Sequence, residues 1–220
     1  LDLLFAVAIS QSLGGAVAPV PFCGSYVMAP IAIRLGGNKD QSTKILNEMS
    51  VGNIKFGIGF SDYVGSRNSS KISFSDGLIN GNTLFVIDTE HATHLLLSDA
   101  DGVLGMVALD HENISFTDLI TVDKTRTYKE ISFENTPVEI LEHTIDSVNA
   151  VERAIDAGRI TLAADSLGAS QTMLDMAVSY SKERKQFNRV IGSFQAVKHM
   201  CAEMASELEP CYSLIWHAAH

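Results

Sequence analysis

The sequence predicts an α+β chain: N-terminal helices over residues 1–53, a central antiparallel β domain over 54–141, and a C-terminal antiparallel helical bundle over 142–220. Three observations carry this. Apolar residues recur at helical spacing near the start, as in Leu3, Leu4, Val7 and Ala8. In the middle, short runs of Ile, Val, Phe and Thr are bounded by turn pairs. Near the end, Phe194, Val197, Cys201, Met204, Leu208, Cys211, Ile215 and Ala218 step alternately by three and four residues. That unbroken heptad seam needs partner helices, hence a bundle.

The first helix is punctuated by Gly14-Gly15, and Pro19 and Pro21 break the chain before a second apolar stretch, Tyr26–Leu35. Gly36-Gly37 closes that stretch as a helix C-terminus does, and a short helix follows over Lys39–Met49. Strands are expected at Ile72–Phe74, Leu84–Ile87, Leu95–Leu97, Val103–Leu109, Ile114–Phe116 and Ile131–Phe133, with turns at Asp76-Gly77, Asn80-Gly81 and Asp101-Gly102. Strands at this spacing mean an antiparallel sandwich or barrel. Thr144 is the expected N-cap of a long helix reaching about Lys182. Val190-Ile191-Gly192 then turns the chain and Ser193 caps the next helix, which Pro210 should kink.

Composition excludes several function classes. A net charge of −10 argues against a nucleic-acid partner, because phosphate backbones are bound through Lys and Arg. The opening apolar run Leu1–Ile9 is too short to span a bilayer and lacks the basic flank of a signal peptide. Cys23, Cys201 and Cys211 form no paired framework, so they read as buried thiols in a reducing, cytoplasmic setting. The seven histidines show no ligand spacing, and no metal site is expected.

One motif is specific. The run from Tyr180 to His199, YSKERKQFNRVIGSFQAVKH, closely resembles the acyl-CoA dehydrogenase signature Y…R.QFG.PI..FQ.V.H. Two further segments fall into register. Val122-Asp123-Lys124-Thr125-Arg126 resembles that family's DxTR turn, and Gly81…Phe85…Ala92…Leu96-Leu97 follows G.K.WITN…AD..LV. The resemblance implies a flavoprotein that binds FAD and removes the α-proton and β-hydrogen of an acyl-CoA thioester. It further implies homologous dehydrogenase subunits in a homo- or hetero-tetramer, and an electron-transferring flavoprotein as acceptor.

The resemblance also assigns residues. Arg184 and Gln195 hold the positions that reach the FAD pyrophosphate and adenosine side from a neighbouring subunit, with the aromatic Phe187 alongside. A guanidinium fork beside a helix N-terminus suits a pyrophosphate. Ser66 and Phe85 lie on the elements that meet flavin within one subunit. Those elements depart from the family: Phe60 stands where a TEP.AGSD loop supplies a Thr, and Ile87 where WIT supplies a hydroxyl. No catalytic base is identified. A minority of the family carries its glutamate just before an Arg on the first long C-terminal helix, and that place is Gly158 before Arg159. Asp156 lies two residues away and reads as solvent-facing. Arg159 either lines the cleft near the thioester or pairs with Asp156 or Glu152.

Three readings follow. The chain is a degenerate subunit donating FAD contacts in trans, as in family members that act on bulky steroid side-chain CoA thioesters. Alternatively it is a piece of an ordinary homo-oligomeric dehydrogenase whose glutamate lies elsewhere, or a scaffold without enzymatic activity.

Overall fold

The computed structural model describes residues 2–65, 71–142 and 147–220, with the side chains of 147 and 148 excepted. Thr144, the expected helix cap, lies outside the described residues. The chain divides into two compact units, residues 19–158, and residues 1–18 together with 159–220.

In the unit spanning 19–158, a π-helical stretch, Phe22–Met28, leads into α2, Ala29–Gly36. (The first helix, α1, belongs to the other unit.) Helix α3, Lys39–Ser50, starts at a reciprocal cap: the Asn38 carboxamide accepts the Gln41 N–H at 2.9 Å, and Gln41 Oε1 accepts the Asn38 N–H at 3.3 Å. Gln41 Nε2 then donates to the Ile140 carbonyl at 3.1 Å, tying α3 to the last strand of the sheet.

The strands are β1, Phe56–Gly59; β2, Lys71–Ser75; β3, Leu78–Ile87; β4, His94–Ser98; β5, Leu104–Ala108; β6, Ile114–Leu119; β7, Tyr128–Pro137; and β8, Glu139–Ile140. The short helix α4, Ser61–Val64, separates the first two. Seven of the strands run in the order β6-β7-β3-β1-β4-β5-β8, with β2 also paired to β3. The expectation of a purely antiparallel domain is corrected here. Strand β1 is antiparallel to β3 but parallel to β4, with Phe56 opposite His94 and Gly59 opposite Leu97. The chain leaves β1, makes the β2–β3 hairpin, and returns beside β1 in the same direction, a crossover that local turn signals do not encode.

Asp76-Gly77 is the two-residue turn the sequence predicts, with φ of 52° and 74°. Asn80-Gly81 is not a turn. It lies inside β3, where the register to β7 shifts between Ile79 and Gly81. Gly81 has φ 105°, and a Cβ there would stand 2.0 Å from the Lys71 carbonyl oxygen, so the position requires glycine, while the extra residue of the bulge lies on β7. Strand β4 is buried on both faces. Leu96 joins Phe56, Ile58, Ala32, Ile33, Ala150, Val151 and Ala154 in one core, while Leu95 and Leu97 pack with Ile79, Val86, Ile131 and Phe133 in another.

In the second unit, α1, Leu3–Gly15, begins at Asp2, whose carboxylate accepts the Leu4 N–H at 3.1 Å. The long helix α5, Ser147–Glu183, contributes its residues from 159 onward. A hairpin of β9, Lys185–Gln186, and β10, Arg189–Val190, is followed by a 3₁₀ turn at Ile191–Ser193 and by α6, Gln195–Ala219. Val7, Ala164 and Ala219 form its buried centre, packed by Leu3, Leu4, Ile160 and Ile215. Three expectations are corrected. Ser193 donates to the Val190 carbonyl at 2.7 Å inside the 3₁₀ turn, and α6 starts after Phe194 with no side-chain cap. The seam is also only half-covered: Val197, Cys201, Leu208, Cys211 and Ile215 are half-buried, and Met204 is exposed. Of the three free cysteines only Cys23 is buried, against the expectation for Cys201 and Cys211. Helix α6 continues through Pro210.

Candidate functional site

Two groups of residues bear on function, one in each unit. In the unit of 19–158, the positions that depart from the family resemblance are structurally committed. Phe60 is buried in the core beside Phe56 and Ile58, and Ile87 packs against the same cluster. Neither can donate a hydrogen bond. The neighbouring hydroxyls are engaged locally: Ser61 Oγ and Thr83 Oγ1 lie 3.0 Å apart, and Asp62 Oδ2 accepts the Ile72 N–H at 2.7 Å. Ser66 lies outside the described residues. Phe85 is presented differently. Between Thr83 and Val86 the β3–β7 register shifts, so Leu84 and Phe85 face Glu130 alone. Phe85 takes φ 56° and is left 46% exposed.

Three residues further along sits Asp88, which the sequence reading did not single out. Its Oδ2 accepts the N–H groups of Gly24 at 2.7 Å and Ser25 at 3.2 Å, so a β3-end carboxylate caps the π-helical stretch. It borders a cavity of about 170 Å³ lined also by Pro19, Pro21, His91, Lys124 and Arg126. The DKTR segment closes on itself: Asp123 Oδ1 accepts from Thr125 N at 2.8 Å and Thr125 Oγ1 at 2.7 Å, and Arg126 Nη1 donates to Asp123 Oδ2 at 3.1 Å. Burial pushes the Asp88 carboxyl above its ordinary value, against the opposing pull of the two backbone N–H groups and of Arg126. The native state therefore holds this proton more tightly than the unfolded chain does. Its contribution to stability is fully present below the ordinary carboxylate pKa and is lost as pH rises through the raised value. Urea unfolding of Asp88→Asn across acidic pH should lack that slope, while the parent shows it; identical profiles would refute the assignment.

Gly158 is the position at which the resemblance would place a base. It is buried, Cys23 Sγ donates to its carbonyl at 3.7 Å, and a Cβ would lie 2.8 Å from Met28 Sδ. Met28 thus fills the space into which a longer side chain would project. Asp156 and Arg159 are exposed on α5, and each has an interaction partner.

In the other unit, Arg184, Phe187 and Gln195 are brought onto one short hairpin and the helix after it. The Arg184 N–H donates to the Tyr180 carbonyl at 2.9 Å and its own carbonyl accepts from Ile191 N at 2.8 Å, which fixes the turn from both sides. Phe187 and Asn188 form the tip, with φ of 51° and 63°. Phe187 is 87% exposed, and Arg184 and Gln195 are exposed as well. Gln195 opens α6, whose first-turn N–H groups receive no side-chain cap. A guanidinium, a carboxamide and unpaired helix-start amides suit an anionic diphosphate.

Residues 148–220 match the family described as acyl-CoA dehydrogenase, C-terminal domain. Over that segment the chain is similar to acyl-CoA dehydrogenases. It is 24% identical over 203 residues to the acyl-CoA dehydrogenase IpdE2 of Mycolicibacterium smegmatis, covering 92% of this chain and 52% of that protein. It is 45% identical over 67 residues to CarC, a subunit of the caffeyl-CoA reductase-Etf complex of Acetobacterium woodii, covering 30% of this chain and 18% of that protein. A variant of the Tcur3481–Tcur3483 steroid ACAD superposes with a TM-score of 0.82 at 26% identity, over 98% of this chain and 60% of that one. The chain thus spans less than two thirds of each. Among acyl-CoA dehydrogenases, FAD is the implied cofactor. The hairpin residues fit its diphosphate, whereas Phe60 and Ile87 do not fit the hydrogen-bonding edge of its ring. Among the described residues no helix is long and apolar enough to cross a membrane.

Proposed function

We propose that this chain is a subunit of an FAD-dependent acyl-CoA dehydrogenase that donates Arg184, Gln195 and Phe187 to a flavin held mainly by a homologous subunit. Arg184 and Gln195 would hold the FAD diphosphate, and bound FAD would supply the hydride acceptor for α,β-dehydrogenation of an acyl-CoA thioester. The observation carrying this reading is an asymmetry. Positions that would contact flavin in trans are intact and exposed, while Phe60 and Ile87 have turned the in-cis ring contacts into core. A buried flavin edge loses about 1–3 kcal/mol for each hydrogen bond left unmade, so two such losses leave the in-cis site weak. Arg159 is the residue of this chain proposed to meet the thioester, and Ser66 and Phe85 are retained as secondary flavin contacts. A steroid-type CoA thioester as substrate is supported by the Tcur3481–Tcur3483 likeness, and an electron-transferring flavoprotein as acceptor by the Etf complex named for CarC. A cytoplasmic location suits the three free thiols.

A second reading is a homo-oligomeric enzyme with its carboxylate base outside these residues. It accounts for the missing base but not for Phe60 or Ile87. Expressed alone, the chain should be colourless. Co-purified with a homologous dehydrogenase subunit, it should give a yellow complex holding fewer flavins than chains. A yellow complex of this chain by itself that oxidises acyl-CoA would overturn the trans reading, and colourless protein under every pairing would leave a scaffold.

A further inference from the structure

We propose that Arg189 is a positioning residue for the flavin contact, acting through the ring of Phe194 to hold Phe187 at the hairpin tip; this rests on the reading above. Three observations converge. Phe187 adopts φ 51° and the next residue, Asn188, φ 63°, where the family pattern places glycine. Left-handed backbone is costly for a phenylalanine and persists when surroundings enforce it. Burial does not enforce it here, because the Phe187 ring is 87% exposed.

The ring packing supplies the restraint. Phe187 meets Phe194 edge-on, with centroids 6.1 Å apart and planes at 84°. On Phe194 in turn lies the Arg189 guanidinium, its Cζ 4.0 Å from the ring centroid. Arg189 stands across the β9–β10 pair from Gln186, so the hairpin aims it back over its own base. Phe194 immediately precedes Gln195. One ring therefore sits between two of the three residues assigned to the flavin, and Arg189 fixes that ring. Holding an exposed aromatic in its binding conformation lowers the ordering cost when a ligand arrives.

The test compares Arg189→Ala, Arg189→Lys and Arg184→Ala in the flavin-bearing assembly, by titrating FAD into the deflavinated complex. Arg189→Ala should weaken FAD roughly two- to fivefold, the affinity equivalent of one exposed cation–π contact. Lysine keeps the charge but not the planar stack, so Arg189→Lys should fall between the parent and the alanine variant. Both losses should be equal at low and high ionic strength, since nothing is lost from a direct charge contact. In the chain without flavin, chymotrypsin should cut after Phe187 faster in Arg189→Ala than in the parent. Full rescue by lysine, or a loss that grows at low salt, would make Arg189 a phosphate cation and overturn the positioning role; unchanged affinity and cleavage would do the same. If Arg184→Ala also leaves FAD affinity unchanged, the trans reading itself falls, and the cleavage comparison still decides whether Arg189 restrains Phe187.

Discussion

Replacing Arg184 by alanine should weaken FAD binding by the assembly roughly 10- to 100-fold, the equivalent of losing charge-assisted hydrogen bonds to a diphosphate. The substitution is clean. What Arg184 gives the fold comes from its backbone, the N–H to Tyr180 and the carbonyl to Ile191, and an alanine keeps both. The exposed side chain buries little apolar surface, so the melting temperature of the chain alone should barely move. Arg184→Lys separates charge from geometry: an ammonium keeps attraction to the anion but cannot span two oxygens, and should fall between parent and alanine. Gln195→Ala removes a neutral donor and should cost less, about 1 kcal/mol. Fluorescence titration of FAD into the deflavinated complex orders the three. Parent-like affinity for Arg184→Ala would remove the diphosphate assignment, because no other role for that guanidinium predicts a selective effect on flavin.

The sequence was most legible where the signal is local. Gly36-Gly37 and Lys39 onward gave a helix end and a helix start, and the Asp76-Gly77 pair gave a hairpin, because each motif meets its backbone requirement within a few residues. The signature from Tyr180 to His199 likewise marked Arg184, Phe187 and Gln195, although the β9–β10 hairpin that carries Phe187 at its tip was not legible there. Non-local features were not legible. Strand β1 reads Phe-Gly-Ile-Gly, which looks like a loop, yet its two glycines make room for Leu95 and Leu97 of the parallel neighbour. Asn80-Gly81 carries the same dipeptide signal as a hairpin turn, and only its pairing inside β3, with β2 on one side and a shifted register to β7 on the other, shows that it is none. Asp88 was invisible for a related reason. An aspartate after a strand is ordinary, and its role comes from Gly24 and Ser25, more than sixty residues earlier.

Gly168→Ala should be strongly destabilising, costing about 3 kcal/mol and lowering the melting temperature of the chain by roughly 6–12 °C. Helices α1 and α5 meet backbone to backbone. A Cβ on Gly168 would stand 1.9 Å from the Gln11 carbonyl oxygen, and one on Gly14 would stand 1.9 Å from that of Asp165. Both obstacles are main-chain atoms within helices, so no rotamer change relieves either clash. The helices must instead separate by more than an ångström, and that opens the contact around Val7 and Ala164, both fully buried. Gly158→Ala makes the informative comparison. The atoms nearest its Cβ would be those of the Met28 side chain, which can shift, so the same added methyl should cost clearly less. The two α1–α5 glycines share one contact, so Gly14→Ala combined with Gly168→Ala should cost less than the sum, since helices already parted by one methyl accommodate the second. Urea midpoints of the three single variants and the double variant measure this. A Gly168→Ala midpoint equal to the parent's, or strict additivity in the double, would mean that the two helices do not touch through these glycines.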